Sequence, residues 1–157
     1  MARVSLRRMA LVLSTDRAAP DASPQEGALR VFLENLDARR GVAVRTLAHA
    51  WVAAGQTIQV GRMTVRLVAQ DAAGHLFTVA TLHPGRLELS RVLLQSHGLA
   101  DSAWRAWCDE RPELAPLGFD GQSKYPQVQL DGATDAAVAR LAIGLRDVAI
   151  QVRSLKA

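Results

Sequence analysis

The chain predicts an α+β domain, a three- to four-stranded antiparallel sheet packed by an N-terminal helix pair and a long C-terminal helix. Three observations carry this. Apolar residues recur at helical spacing over 24–54, alternate at strand spacing over 58–90, and return to helical spacing over 134–153. The 157 residues suit one domain, with 49% hydrophobic and 22% charged residues, so a core can form without metals or disulfides. Neither an internal repeat nor a linker divides the chain, so residues 1–157 read as a single domain.

Residues 1–22 read as a strand or amphipathic arm followed by a loop, since Val4 and Leu6 alternate with charge ahead of Asp16, Pro20 and Asp21. Ser23 and Pro24, with Glu26 three residues after the serine, form a capping box. Leu29, Phe32, Leu33 and Leu36 follow at helical spacing and predict a helix over 24–39, with Gly41 placed to end it. A second helix over 44–54 puts Val44, Leu47, Ala48 and Trp51 on one face.

The period then changes to two. Ile58, Val60, Met63, Val65 and Leu67 read as one strand with a phase slip at Gly61-Arg62, where a bulge is natural. Asp71 to Gly74 reads as a hairpin turn, 76–82 as its partner strand, His83-Pro84-Gly85 as a second turn and 86–90 as a third strand. Ser90 and Asp101-Ser102 are placed to cap short helices, the first ended by Gly98 and the second by Pro112. Residues 112–126 are rich in Pro and Gly and read as an irregular, functional-length loop, with a fourth strand over 125–130. Thr134 caps the closing helix, whose seam is Val138, Leu141, Leu145, Val148 and Val152.

Several chemistries find no support in the residue pattern. The histidines His49, His75, His83 and His97 have no metal-ligand spacing, and no glycine-rich phosphate loop or GxSxG elbow is present. Cys108 excludes an intramolecular disulfide; beside Trp104 and Trp107 and followed by Asp109 and Glu110, it reads as a small buried hydrophobe. Asp71 and Glu88 sketch a degenerate metal-dependent nuclease pattern, with Ser90 where the lysine belongs. No catalytic residue, cofactor or metal is expected. The lone cysteine and the apolar run Met9–Leu13, only five residues long, point to a cytoplasmic protein without a membrane span.

Charge is more informative about partners. Nineteen basic and fifteen acidic residues give +4, and the excess lies in the first hundred residues. Seventeen of the bases are arginine, the side chain suited to bidentate contact with carboxylate and phosphate. Arginine also rises together with alanine in GC-rich coding sequence, which explains the same excess without function. The helix pair followed by a hairpin is reminiscent of a winged helix–turn–helix, yet only Gly55-Gln56 separates the second helix from the first strand, leaving no recognition helix. The expected working surface is a basic sheet face with Arg62, Arg66 and Arg86 and the loop at Lys124 and Tyr125. It would contact a protein, or nucleic acid through sequence-independent phosphate contacts. Ile143 and Ile150 lie off the closing helix's seam and imply either burial between layers or contact with a protein partner or second copy.

The order Phe77-Thr78-Val79, His83-Pro84, Leu87-Glu88-Leu89, Tyr125-Pro126-Gln127-Val128 and the closing helix resembles uncharacterised bacterial α+β domains found beside restriction-type nucleases, over about residues 44–153. The resemblance implies an accessory binding domain and supplies no functional residues to carry over.

Overall fold

The computed structural model describes residues 24–36 and 38–155, except the side chains at 24 and 38–40. The strand or arm expected over 1–15 and the cap at Ser23 lie outside these residues. Helices α1 (Pro24–Glu34) and α2 (Ala38–Ala53) precede strands β1 (Thr57–Val60), β2 (Val65–Gln70), β3 (Leu76–His83) and β4 (Arg86–Leu89). Helices α3 (Arg91–Ser96) and α4 (Asp101–Asp109) and a 3-10 helix (Pro112–Leu117) follow. Strand β5 (Gln127–Gln129) and helix α5 (Asp135–Arg153) close the chain. The five strands form one antiparallel sheet in the order β1-β2-β3-β4-β5, so the α+β architecture stands with one strand more than the upper expectation.

The extra strand comes from the phase slip at Gly61-Arg62, which is a hairpin rather than a bulge. Gly61 N–H donates to the Thr64 carbonyl at 2.8 Å, reversing the chain so that Val60 faces Val65 across the ladder. The bulge lies one hairpin later. Leu67 pairs with Ala80 but Val68 with Thr78, which leaves Val79 as the additional residue on β3. This slip lets Phe77 and Val79 on one side of the bulge, and Ala80 and Leu82 on the other, all enter the core.

The first helix boundary also differs from expectation. The chain turns at Asn35-Leu36, where Asn35 N–H donates to Phe32 O and Leu36 N–H to Leu33 O, both at 3.2 Å. Gly41 lies buried inside α2 instead of ending α1. A helix-interior glycine costs about 1 kcal/mol relative to alanine. Burial of Val44, Leu47, Ala48 and Trp51 outweighs that, since a fully buried large apolar side chain contributes about 1.5–3 kcal/mol. Ser90 and Asp101-Ser102 do not cap through their side chains: α3 and α4 have no side-chain cap, and Ala100 is the residue ahead of α4. Thr134 does cap α5, accepting from Ala137 N–H at 3.1 Å.

One core joins these elements. The predicted seam of α5 is buried throughout and packs with Val44, Leu47 and Trp51 of α2, and with the inward residues of the sheet. The Trp51 indole N–H donates to Thr57 O (2.9 Å) and Val68 O (3.2 Å), tying α2 to the open end of the β1–β2 pair. Trp104 and Trp107 of α4 stack at 5.5 Å between centroids, with the Phe119 ring against both. The Trp107 indole N–H reaches Gly144 O on α5. No helix among the described residues is long and apolar enough to cross a membrane.

Candidate functional site

Strand alternation sends Val65, Leu67, Leu82, Leu87, Leu89 and Val128 into the core, and so fixes what the opposite face displays. Across the five strands one register row reads Gln59, Arg66, Thr81, Glu88, Gln127. The neighbouring row reads His83, Arg86, Gln129. Every residue in these rows is exposed or half-buried and none is apolar. Val68 is the buried exception on this face, beside Thr57 and Thr78.

Arg66 and Arg86 are the cations of this face. Their Cα atoms are separated by two strand spacings and two residues along the strand, roughly 12 Å. Neither side chain makes a hydrogen bond or ion pair among the described residues, and Arg86 Nε is shielded from solvent without an acceptor. A buried donor lacking its acceptor is costly, and Arg91 Nε is in the same state. Glu88 shares Arg66's row two strands across, lies two residues along β4 from Arg86, and is held by His83, with Nε2 and Oε1 at 3.3 Å. The other nearby carboxylate is that of Asp131, which lies against Gly85 at the β3–β4 turn.

The remaining surface residues fall around this face. Arg62 is exposed on the β1–β2 turn, at the same sheet end as Arg86. Tyr125 is 50% exposed at the opposite end of β5, two residues ahead of Gln127 and separated from it by buried Pro126. The Pro126 carbonyl accepts Leu89 N–H at 2.8 Å, which holds this corner to β4. Lys124 is exposed in the preceding loop. Sequence reading missed the polar partners Gln59, Thr81, His83, Gln127 and Gln129, because a row becomes visible only once register is known. Phe77, the one aromatic in the meander, faces the core and stacks on His97 at 4.4 Å.

The loop bearing Lys124 and Tyr125 is not loose. Arg91 Nη1 donates to the carbonyls of Gly121 (3.1 Å), Gln122 (2.8 Å) and Ser123 (3.1 Å), and its guanidinium lies 5.9 Å from the Trp104 ring centre. The Trp104 indole N–H donates to the same Gly121 carbonyl at 2.9 Å. On the far side of the tryptophan pair, Arg111 lies 4.4 Å from the Trp107 ring centre. Ile143 and Ile150 are each 51% exposed, so they are not buried between layers.

Asp71 and Glu88, the two acids of the nuclease-like pattern, are held apart. Gln70, just before Asp71, pairs with Leu76, whereas Glu88 pairs with Thr81 five residues further along β3, an offset of about 17 Å. Among the described residues no three His, Cys, Asp or Glu side chains converge as a metal-ligand set.

Asp71 instead latches the β2–β3 turn to the end of α3. Its Oδ1 accepts from Ala73 N–H (2.9 Å) and His75 N–H (2.8 Å), while Oδ2 lies 2.7 Å from His97 Nδ1. The His97 bond, followed by the backbone donors, holds the Asp71 carboxyl down to about 2. A carboxyl depressed in the folded state adds stability above its unfolded value near 4, and that increment is lost as pH falls from 4 through 2. Thermal midpoints followed over this window should therefore drop more steeply for the wild-type chain than for Asp71→Asn.

Cys108 is half-buried, and burial, reinforced by Asp109, pushes its thiol up to about 11. The sequence expectation of a small buried hydrophobe holds in part, since Cys108 packs against the core but is only half-buried. At pH 8 the chain should react with a disulfide reagent on the order of 100-fold more slowly than a free cysteine peptide of ordinary acidity. Release of the reagent's chromophore measures it.

No protein-family model, no curated protein and no solved structure matches this chain.

Proposed function

We propose that this chain is a binding domain, without catalysis of its own, that holds the phosphate backbone of a nucleic acid on the polar face of its sheet. The supporting observation is the pair Arg66 and Arg86, whose side chains have no partner among the described residues, on a face that carries no apolar row, one of them with a shielded and unsatisfied donor. Phosphate oxygens are strong acceptors and match the bidentate fork of a guanidinium. Neither groove reading nor base specificity follows from this surface, because α2 runs into β1 through Gly55-Gln56 with no helix between them. Such a domain would suit the accessory role implied by the sequence resemblance.

The test is the salt dependence of binding to a labelled oligonucleotide of mixed sequence. Two to three phosphate contacts, from Arg66, Arg86 and Arg62, should give a log–log slope of about −1.5 to −2.5. Absence of binding at about 50 mM salt would remove the proposal.

A further inference from the structure

We infer that the polar sheet face takes single-stranded nucleic acid in preference to duplex; this rests on the reading above and names its substrate class. Phosphate is an acceptor only, yet the row that runs from Arg66 contains Glu88, two residues along β4 from Arg86, a carboxylate that also only accepts. A continuous phosphate rail, which is what a duplex presents, meets Glu88 with like-charge repulsion and no donor. Unpaired bases differ, since their edges carry amino and imino N–H groups that a duplex uses internally. Those donors suit Glu88 and the carbonyls of Gln59, Gln127 and Gln129, while Thr81 and the glutamine amides donate back to base acceptors.

The second observation is Tyr125. It is the one exposed aromatic ring among the described residues, and it stands at the β5 corner of the same face. Ring-on-base stacking is sequence-tolerant and needs an unstacked base, which a single strand supplies and a duplex does not. The corner is also rigid: Pro126 is bonded to β4, and the loop ahead of Tyr125 is gripped by Arg91 through three carbonyls. A platform fixed before binding loses less entropy on contact than a mobile one. Cationic groups for the backbone, hydrogen-bonding groups for base edges and a stacking ring thus share one surface.

The experiment measures fluorescence anisotropy of the full chain with a 20-nucleotide mixed-sequence DNA, the equivalent RNA, and the same DNA as duplex, at about 50 mM salt. Either single strand should bind at least tenfold more tightly than duplex. Tyr125→Ala should lose roughly tenfold on the single strands and leave duplex unchanged, with Tyr125→Phe retaining wild-type binding. Glu88→Gln should narrow the preference by strengthening duplex. Equal or tighter duplex binding overturns the inference while leaving the phosphate-binding reading intact, as does equal loss on both forms in Tyr125→Ala. No binding to any of the three overturns both. Unchanged thermal midpoints in the variants separate lost contact from lost folding.

Discussion

Replacing Trp104 with alanine should destabilise the domain by about 3–5 kcal/mol, the range seen when a large aromatic is truncated in a core. Trp104 is 1% exposed, stacks on Trp107, touches Phe119 and supplies the indole N–H that Gly121 O accepts. Truncation removes all of these at once and leaves Arg91 facing a void on the side where the indole stood. For a chain of this size the thermal midpoint should fall by roughly 10 °C or more, read by circular dichroism. Trp104→Phe keeps a ring in the stack but loses the hydrogen bond and part of the indole's buried area, so its cost should be smaller, about 2–3 kcal/mol. A near-neutral Trp104→Ala would mean that the Trp104–Trp107–Phe119 cluster does not carry the packing of α4 against the loop over 118–126.

What the sequence made legible follows physical range. The buried stripes of α2 and α5 were readable because helical contacts repeat every three or four residues and need no knowledge of the rest of the chain. Thr134 was readable for the same reason: a cap is satisfied by a backbone N–H three residues on. The β1–β2 hairpin was misread as one bulged strand because Gly61 to Thr64 lacks an Asn-Gly or Asp-Gly signal, and the alternation of Ile58 and Val60 resumes at Val65 and Leu67. The helix boundary at Asn35 was hidden by Leu36, which keeps helical spacing and still packs on the core although it lies outside the helix. Here a tertiary contact preserved a local pattern that the backbone had already left.

The working face was partly legible. Arg66 and Arg86 both stand at outward positions, as alternation requires, and so they share a surface. What alternation cannot supply is register, and register decides that Glu88 shares a row with Arg66 and that Gln127 completes it. The Asp71–His97 contact and the three-carbonyl grip of Arg91 were equally out of reach. Each joins residues 26 to 32 positions apart through loops whose paths no periodicity encodes.

Reversing both cations, Arg66→Glu with Arg86→Glu, should lower affinity for a single-stranded oligonucleotide on the order of 100-fold at about 50 mM salt, and flatten the salt slope by about one and a half units. The two effects have different origins. Loss of slope reports phosphate contacts that no longer release counterions, whereas loss of affinity adds repulsion from the two new carboxylates and from Glu88 beside them. Arg66 is exposed and has no side-chain partner among the described residues, so its reversal leaves no buried charge and should not disturb folding. Arg86 is half-buried with a shielded Nε, so Arg86→Gln serves as the milder companion, removing the charge without forcing a carboxylate into the same space. The decisive control is the pair Arg140→Glu and Arg146→Glu on the exposed side of α5. It changes net charge by the same amount away from the proposed face. If the sheet face is where the polyanion sits, the control should lose only a few-fold in affinity and retain the wild-type slope. Equal losses from both pairs would mean that diffuse basicity, and not this face, attracts the ligand.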